Sequence, residues 1–175
     1  MPLTVDTGAG NPAADSFVSL ADATAYHSSI GNTAWADLAP DVQEQRLRRA
    51  TAFMEQAYRM RWAGTRVTST QALSWPRAWV PMPDAPGGYG SLPAYYPIDS
   101  VPVAVQRACA ELALKAATSS SLAPDVKPLA TRVKVGPIEK EYAAGSRQTT
   151  RYGAVEGMLA PFFATSGGMV RVVRA

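Results

Sequence analysis

Residues 41–62, DVQEQRLRRATAFMEQAYRMRW, carry the longest helical pattern in this 175-residue chain. Leu47, Ala50, Met54, Ala57 and Tyr58 recur at helical spacing and so share one face; Phe53 and Met60 widen it. Glu44 precedes Arg48 by four residues, and Glu55 precedes Arg59 by four. That order favours ion pairs on a helix surface. Pro40 suits a first turn, where its missing N–H costs nothing, and Gly64 suits a stop. The stretch therefore predicts a helix with one core face and one polar face, and it requires packing partners.

Those partners are readable on either side. SFVSLADATAYHSSIG predicts a first helix, with Ser19 as N-cap, Asp22 three residues on, and Gly31 as a left-handed stop. NTAWADLAP connects it to the long helix, with Trp35 and Leu38 packing on the helix start. DSVPVAVQRACAELALKAATSSS predicts a third helix, capped by Ser100, with Val105, Cys109, Leu112 and Ala116 as its buried stripe. Arg107, Glu111 and Lys115 form its polar stripe. YGAVEGMLAPFFA predicts a short last helix ended or kinked by Pro161.

The remaining segments are not helical. In QALSWPR, Pro76 disfavours a helical Trp75, so Trp75 and Pro76 read as a structural turn that projects Arg77. The stretch from about 78 to 100 is rich in Pro, Gly and Tyr and reads as a long loop, either simply exposed or partner-binding. TRVKVGPIEKEYA alternates about Gly136–Pro137 and predicts a short β-hairpin. Residues 1–15 read as a flexible lead, and TSGGMVRVVRA as an extended C-terminal arm after a Gly167–Gly168 hinge. The expected architecture is mainly α: a small bundle of three to four helices with the long loop, the hairpin and the arm. In units, this gives 1–15 as lead, 16–124 as helical core with the loop inserted, and 125–175 as hairpin, short helix and arm.

Composition narrows function. One cysteine, Cys109, excludes an internal disulfide framework, and one histidine, His27, makes metal clusters and hydrolase triads improbable. Cys109 reads as a small core residue, and His27 as an ordinary packed or surface histidine. No apolar run has membrane-spanning length, and MPLTVDTGAGNPAADS lacks the pattern of a secretion signal. No nucleophile elbow, zinc-protease, Walker or dinucleotide motif occurs, so no enzyme and no cofactor is expected. Glu139 and Glu141 share a strand face, but exposed strand surface explains them. Charge is uneven: residues 1–40 hold four Asp and no Lys or Arg, whereas residues 41–80 hold seven Arg against three acids. For charge alone an ordinary solvated surface is the plainer reading; the asymmetry also suits head-to-tail contact between copies or an acidic partner. Arg46, Arg49, Arg61 and Arg77 are the candidate cations facing a neighbour or a channel. Arg46, Arg48, Arg49, Arg59 and Arg61 with Trp62 and Trp75 also make nucleic acid a candidate partner, but Glu44 and Glu55 can neutralise two of these arginines and the tryptophans are better explained as core.

The order of pieces resembles a known family. FVSLADATAYHSSIGNTAWADL, RRATAFMEQAYRMRWAG, QALSWPR, VPVAVQRACAELALKA and VKVGPIEKEYA together cover most of Ser16–Ala143. They are similar to the head–tail connector (adaptor, or head-completion) proteins of tailed bacteriophages, a group often labelled DnaT-like single-stranded DNA-binding. The resemblance implies an α-helical virion component at the head–tail junction, assembled in the host cytoplasm. It implies an oligomeric ring, usually of twelve copies, under the portal protein. Such a ring continues the channel for packaged DNA and docks downstream tail or connector proteins, with no membrane partner. The label implies a different class, a single-strand-binding module. Met169, Val170, Arg171, Val172, Val173 and Arg174 are the candidate portal-docking residues, as an added strand.

Overall fold

Leu47, Ala50, Met54 and Tyr58 are all buried, as the spacing of the long helix requires. In the computed structural model this helix is α3, Pro40–Tyr58. It follows α1 (Leu20–Ser29) and a four-residue α2 (Thr33–Ala36), and precedes α4 (Val103–Thr118) and α5 (Gly153–Leu159). Two two-residue strands, β1 (Thr65–Arg66) and β2 (Arg77–Ala78), pair antiparallel between α3 and α4. A second antiparallel pair, β3 (Arg132–Val135) and β4 (Ile138–Glu141), precedes α5. The structure describes residues 2–85, 94–118, 121–123, 132–135, 138–141 and 150–164, with backbone alone for 117–118 and for β3 and β4.

The mainly α expectation holds, and α3 packed along α4 is its centre. The alanines of α4 are the reason for that closeness: Ala108, Ala113 and Ala116 are buried beside Val105, Cys109 and Leu112. Thr51 lies 3.4 Å from the Cys109 sulfur across this contact. Burial pushes the Cys109 thiol up to about 12, which makes it a core residue rather than a nucleophile. The apolar face of α3 is narrower than the spacing suggested. Ala57 is exposed, and Met60 is 93% exposed because the helix has ended at Tyr58 before reaching it. Both Glu55 oxygens accept from Ser74, at 2.6 Å from its N–H and 2.8 Å from its hydroxyl. The residue expected to pair with Arg59 thus ties α3 to the turn before Pro76.

The first helix begins and ends as its sequence requires. Ser19 Oγ accepts from the Asp22 N–H at 3.0 Å, and Gly31 takes φ +75°. Trp35 is buried on it, donating to Thr24 at 3.2 Å.

The lead is not loose. Asp6 is 1% exposed, and its carboxylate accepts from the N–H groups of Gly8, Gly10 and Asn11 at 2.9, 3.2 and 2.9 Å. Val5 bridges Ser16, and Asp15 pairs with Arg48 on α3 at 2.6 Å. A carboxylate that collects three backbone donors folds a Gly-rich segment that its composition alone would leave free. The division at residue 124 also differs. Val155, Leu159 and Phe162, from α5 and the 3-10 turn Ala160–Phe162, join the same hydrophobic cluster as α3 and α4. The last helix therefore belongs to the core, and Pro161 sits where α-helix tightens to 3-10. The hairpin register sets Val135 opposite Ile138, and the expected Gly136–Pro137 turn lies outside the described residues. The side chains of Glu139 and Glu141, the tip of the long loop (86–93) and the arm Met169–Arg174 lie outside the described residues.

His27 is fully buried between α1 and α4. Its Nε2–H donates to the Ala110 carbonyl at 3.1 Å, Nδ1 accepts from the Asn32 amide at 3.1 Å, and Trp35 lies 4.8 Å from its ring. Burial holds its pKa below the usual 6.5, so the fold favours the neutral ring. The unfolded chain then binds the proton more readily. The stabilisation is fully present above the ordinary His pKa and is lost as pH falls below it. Thermal unfolding should shift down between about pH 7 and about pH 5, with a shallower slope in His27→Gln. An equal slope in that variant would remove His27 as the cause.

Candidate interaction surface

The arginines expected to face a neighbour or a channel separate into two groups. Arg77 is 7% exposed and donates to the carbonyls of Ala63 (2.7 Å), Ser74 (3.2 Å) and Gly64 (2.7 Å). It is an internal clamp on the loop after α3, because β1 and β2 pair at Arg66–Arg77 and draw it inward. Burial holds its pKa below the ordinary arginine value. Trp75 and Pro76 are buried and joined by a cis peptide bond, and Arg77 after them is buried rather than projected. Arg46 is half-buried and donates to the Ala116 carbonyl in the last turn of α4. It caps a helix end that carries partial negative charge. Arg48 is tied to Asp15 and Glu44. Part of the charge asymmetry is thus neutralised inside one subunit.

Arg49, Arg59 and Arg61 remain at the surface. Arg49, Ala52, Phe53 and Gln56 border a hollow of about 360 Å³ with Leu122 and Ala123. A second hollow of about 250 Å³ shares Phe53, Leu122 and Ala123 and extends to Tyr58, Arg61 and Glu156. Arg61 lies 4.0 Å above the Phe163 ring and 3.5 Å from Glu156, which also accepts from Arg151. The two guanidinium groups hold the Glu156 carboxyl below its ordinary pKa in spite of its burial. This corner carries two cations against one anion beside an aromatic wall.

The tryptophans do not form a stacking platform. Trp62 and Trp75 are buried, edge to face at 5.8 Å, and Phe162 packs on Trp75. They hold the chain after α3 onto the last helix, where Trp62 bridges Phe163. Of the exposed aromatics among the described residues, Trp79, at 67% exposure, lies 5.5 Å from the other, Tyr95. It has φ +61°, a conformation that a bulky residue adopts only under constraint. The constraint is visible: Gly64 (φ +66°) packs so closely beneath that a Cβ there would lie 2.1 Å from the Ala78 carbonyl. Trp79 stands at the base of the long loop, whose two limbs are held by Tyr96 N–H to Val80 and Met82 N–H to Ala94. Sequence reasoning gave Trp79 no role; an aromatic between a turn and a Pro-rich loop was its only signal. Nor did it single out Glu156.

Among the described residues no group of three or more His, Cys, Asp or Glu side chains converges, and no helix is long and apolar enough to cross a membrane. No curated protein and no solved structure matches the chain. The profile of the family described as "Putative DnaT-like ssDNA binding protein" matches residues 1–175, and the chain belongs to that family.

Proposed function

We propose that this chain is a non-catalytic adaptor subunit of a phage head–tail connector, arrayed as a ring, by resemblance of twelve copies, beneath the portal protein. The ring continues the channel for packaged DNA and docks tail proteins, and it places the chain in the virion. One observation supports this reading: several of the groups that the sequence offered to a single strand are engaged inside the chain, although Arg49, Arg59 and Arg61 stay at the surface. Trp62 and Trp75 are core, and Arg46, Arg48 and Arg77 bind backbone or carboxylates. A channel wall needs only modest charge, because the genome must slide past it. The constrained Trp79 beside Tyr95 is the kind of rigid aromatic anchor that interfaces use. Met169–Arg174 are proposed to dock on the portal as an added strand. The test is the mass of the purified protein with and without portal. A ring on the portal is expected; a chain that never joins the portal overturns the reading.

The family's description favours a second reading, binding of single-stranded DNA, and the Arg61–Arg151 corner beside the 250 Å³ hollow is where it would act. On the adaptor reading, purified protein binds an oligonucleotide no better than the non-specific range of about 10⁻⁴–10⁻⁶ M at physiological salt. Tighter binding that Arg61→Ala/Arg151→Ala weakens, with a flatter salt dependence, would establish the second reading instead.

A further inference from the structure

Among the described residues, one face of α3 is left uncovered. Asp41, Gln45, Arg49, Ala52, Gln56 and Arg59 are all exposed along it. Its charge is polar along the axis. Asp41 lies in the first turn, with exposed Asp37 just before it; Arg49 is the tenth of the 19 helical residues, and Arg59 is the C-cap. Among the described residues none of these four makes an ion pair. At about 1.5 Å per residue, Asp41 stands roughly 12 Å from Arg49 and roughly 27 Å from Arg59. Both distances exceed the Debye length of about 8 Å at physiological salt, so the two ends do not neutralise each other within a copy. Between the arginines, Ala52 and Gln56 keep the surface low and open to close approach.

We propose that the Arg49–Arg59 end of α3 in one copy receives the Asp37–Asp41 corner of the next, head to tail. The contact rests on the adaptor reading and specifies how its ring closes. A two-fold pairing of α3 with α3 is disfavoured by the same residues. Setting Asp41 against the other copy's Arg59 centres the pair near position 50 and brings the two Arg49 side chains together. A head-to-tail contact has no such clash, and its repetition makes a ring when the rotation between copies closes.

The test is a charge exchange in the full chain, read by electron microscopy and by mass with the cognate portal. Asp37→Arg/Asp41→Arg and Arg49→Asp/Arg59→Asp should each lose ring assembly by about tenfold or more, because like charges then face each other. An equimolar mixture should restore it, since every contact in an alternating ring is again between opposite charges. That restoration also establishes that both variants fold. The milder Asp37→Asn/Asp41→Asn should assemble weakly, with less salt sensitivity than the wild type. Either reversed variant assembling as well as the wild type overturns this contact and leaves the adaptor reading standing. So does a mixture of two folded variants that stays unassembled, or one that stops at dimers. A wild-type chain that forms no ring on the portal overturns the adaptor reading and this contact with it.

Discussion

Arg77→Met should lower the unfolding free energy by about 2–4 kcal/mol, whereas Arg49→Ala should change it by no more than about 0.5 kcal/mol. The two arginines look alike in sequence and differ in what they hold. Arg77 donates to three carbonyls, those of Ala63, Gly64 and Ser74, from a buried position. Met keeps much of the side-chain volume and removes every donor, so the three acceptors lose a charged partner. Glu55, which ties Ser74 to α3, faces the same loop and loses its neighbouring cation. Arg49 is exposed on the rim of a hollow. Urea unfolding of both variants separates the cases by midpoint at constant slope. An unchanged midpoint in Arg77→Met would return Arg77 to the surface role that its sequence context suggests.

The second large effect is local. Asp6→Ala leaves the N–H groups of Gly8, Gly10 and Asn11 without their acceptor, at about 1–3 kcal/mol for each that stays buried. The chain escapes part of this by releasing the lead, so the loss is bounded by the free energy of that local opening. Limited proteolysis is the direct readout: cleavage within residues 2–15 should accelerate while α3 and α4 stay protected. Gly8→Ala should act in the same way, because its Cβ would lie 1.9 Å from the Asp99 carbonyl and Gly8 has φ +118°. A lead that resists protease equally in the wild type and in Asp6→Ala would mean that the Asp6 contacts do not hold it.

The helices were legible because periodicity reports a face directly. The Ser19 cap, the Gly31 stop, the buried stripe of α4 and the Val155–Leu159–Phe162 run all follow from local rules. What local rules miss is where a polar group finds its partner. Asp6 collects donors from the next five residues, and nothing in its Gly/Pro-rich surroundings marks it as buried. Glu55 sits at the right spacing for Arg59, yet a turn 19 residues away takes both its oxygens. Arg77 is drawn inward by pairing with Arg66 in a ladder of two residues per strand, too short to leave a pattern. The same limit applied to the surface. Trp62 and Trp75 are core, as their context suggested, whereas Trp79 looks incidental until its positive φ and its exposure are seen together. Charge counted along the chain overstated the surface asymmetry, because Asp15 and Arg48 meet within one subunit.

The remaining claim is about location. Electron microscopy of assembled virions tests it most directly, by fitting the α3–α4 core into density between the portal and the tail. The account predicts a ring of this chain at that junction, lining the channel, with the Asp37–Asp41 corner of each copy against the Arg49–Arg59 end of its neighbour. A junction that contains no copy of the chain would contradict it.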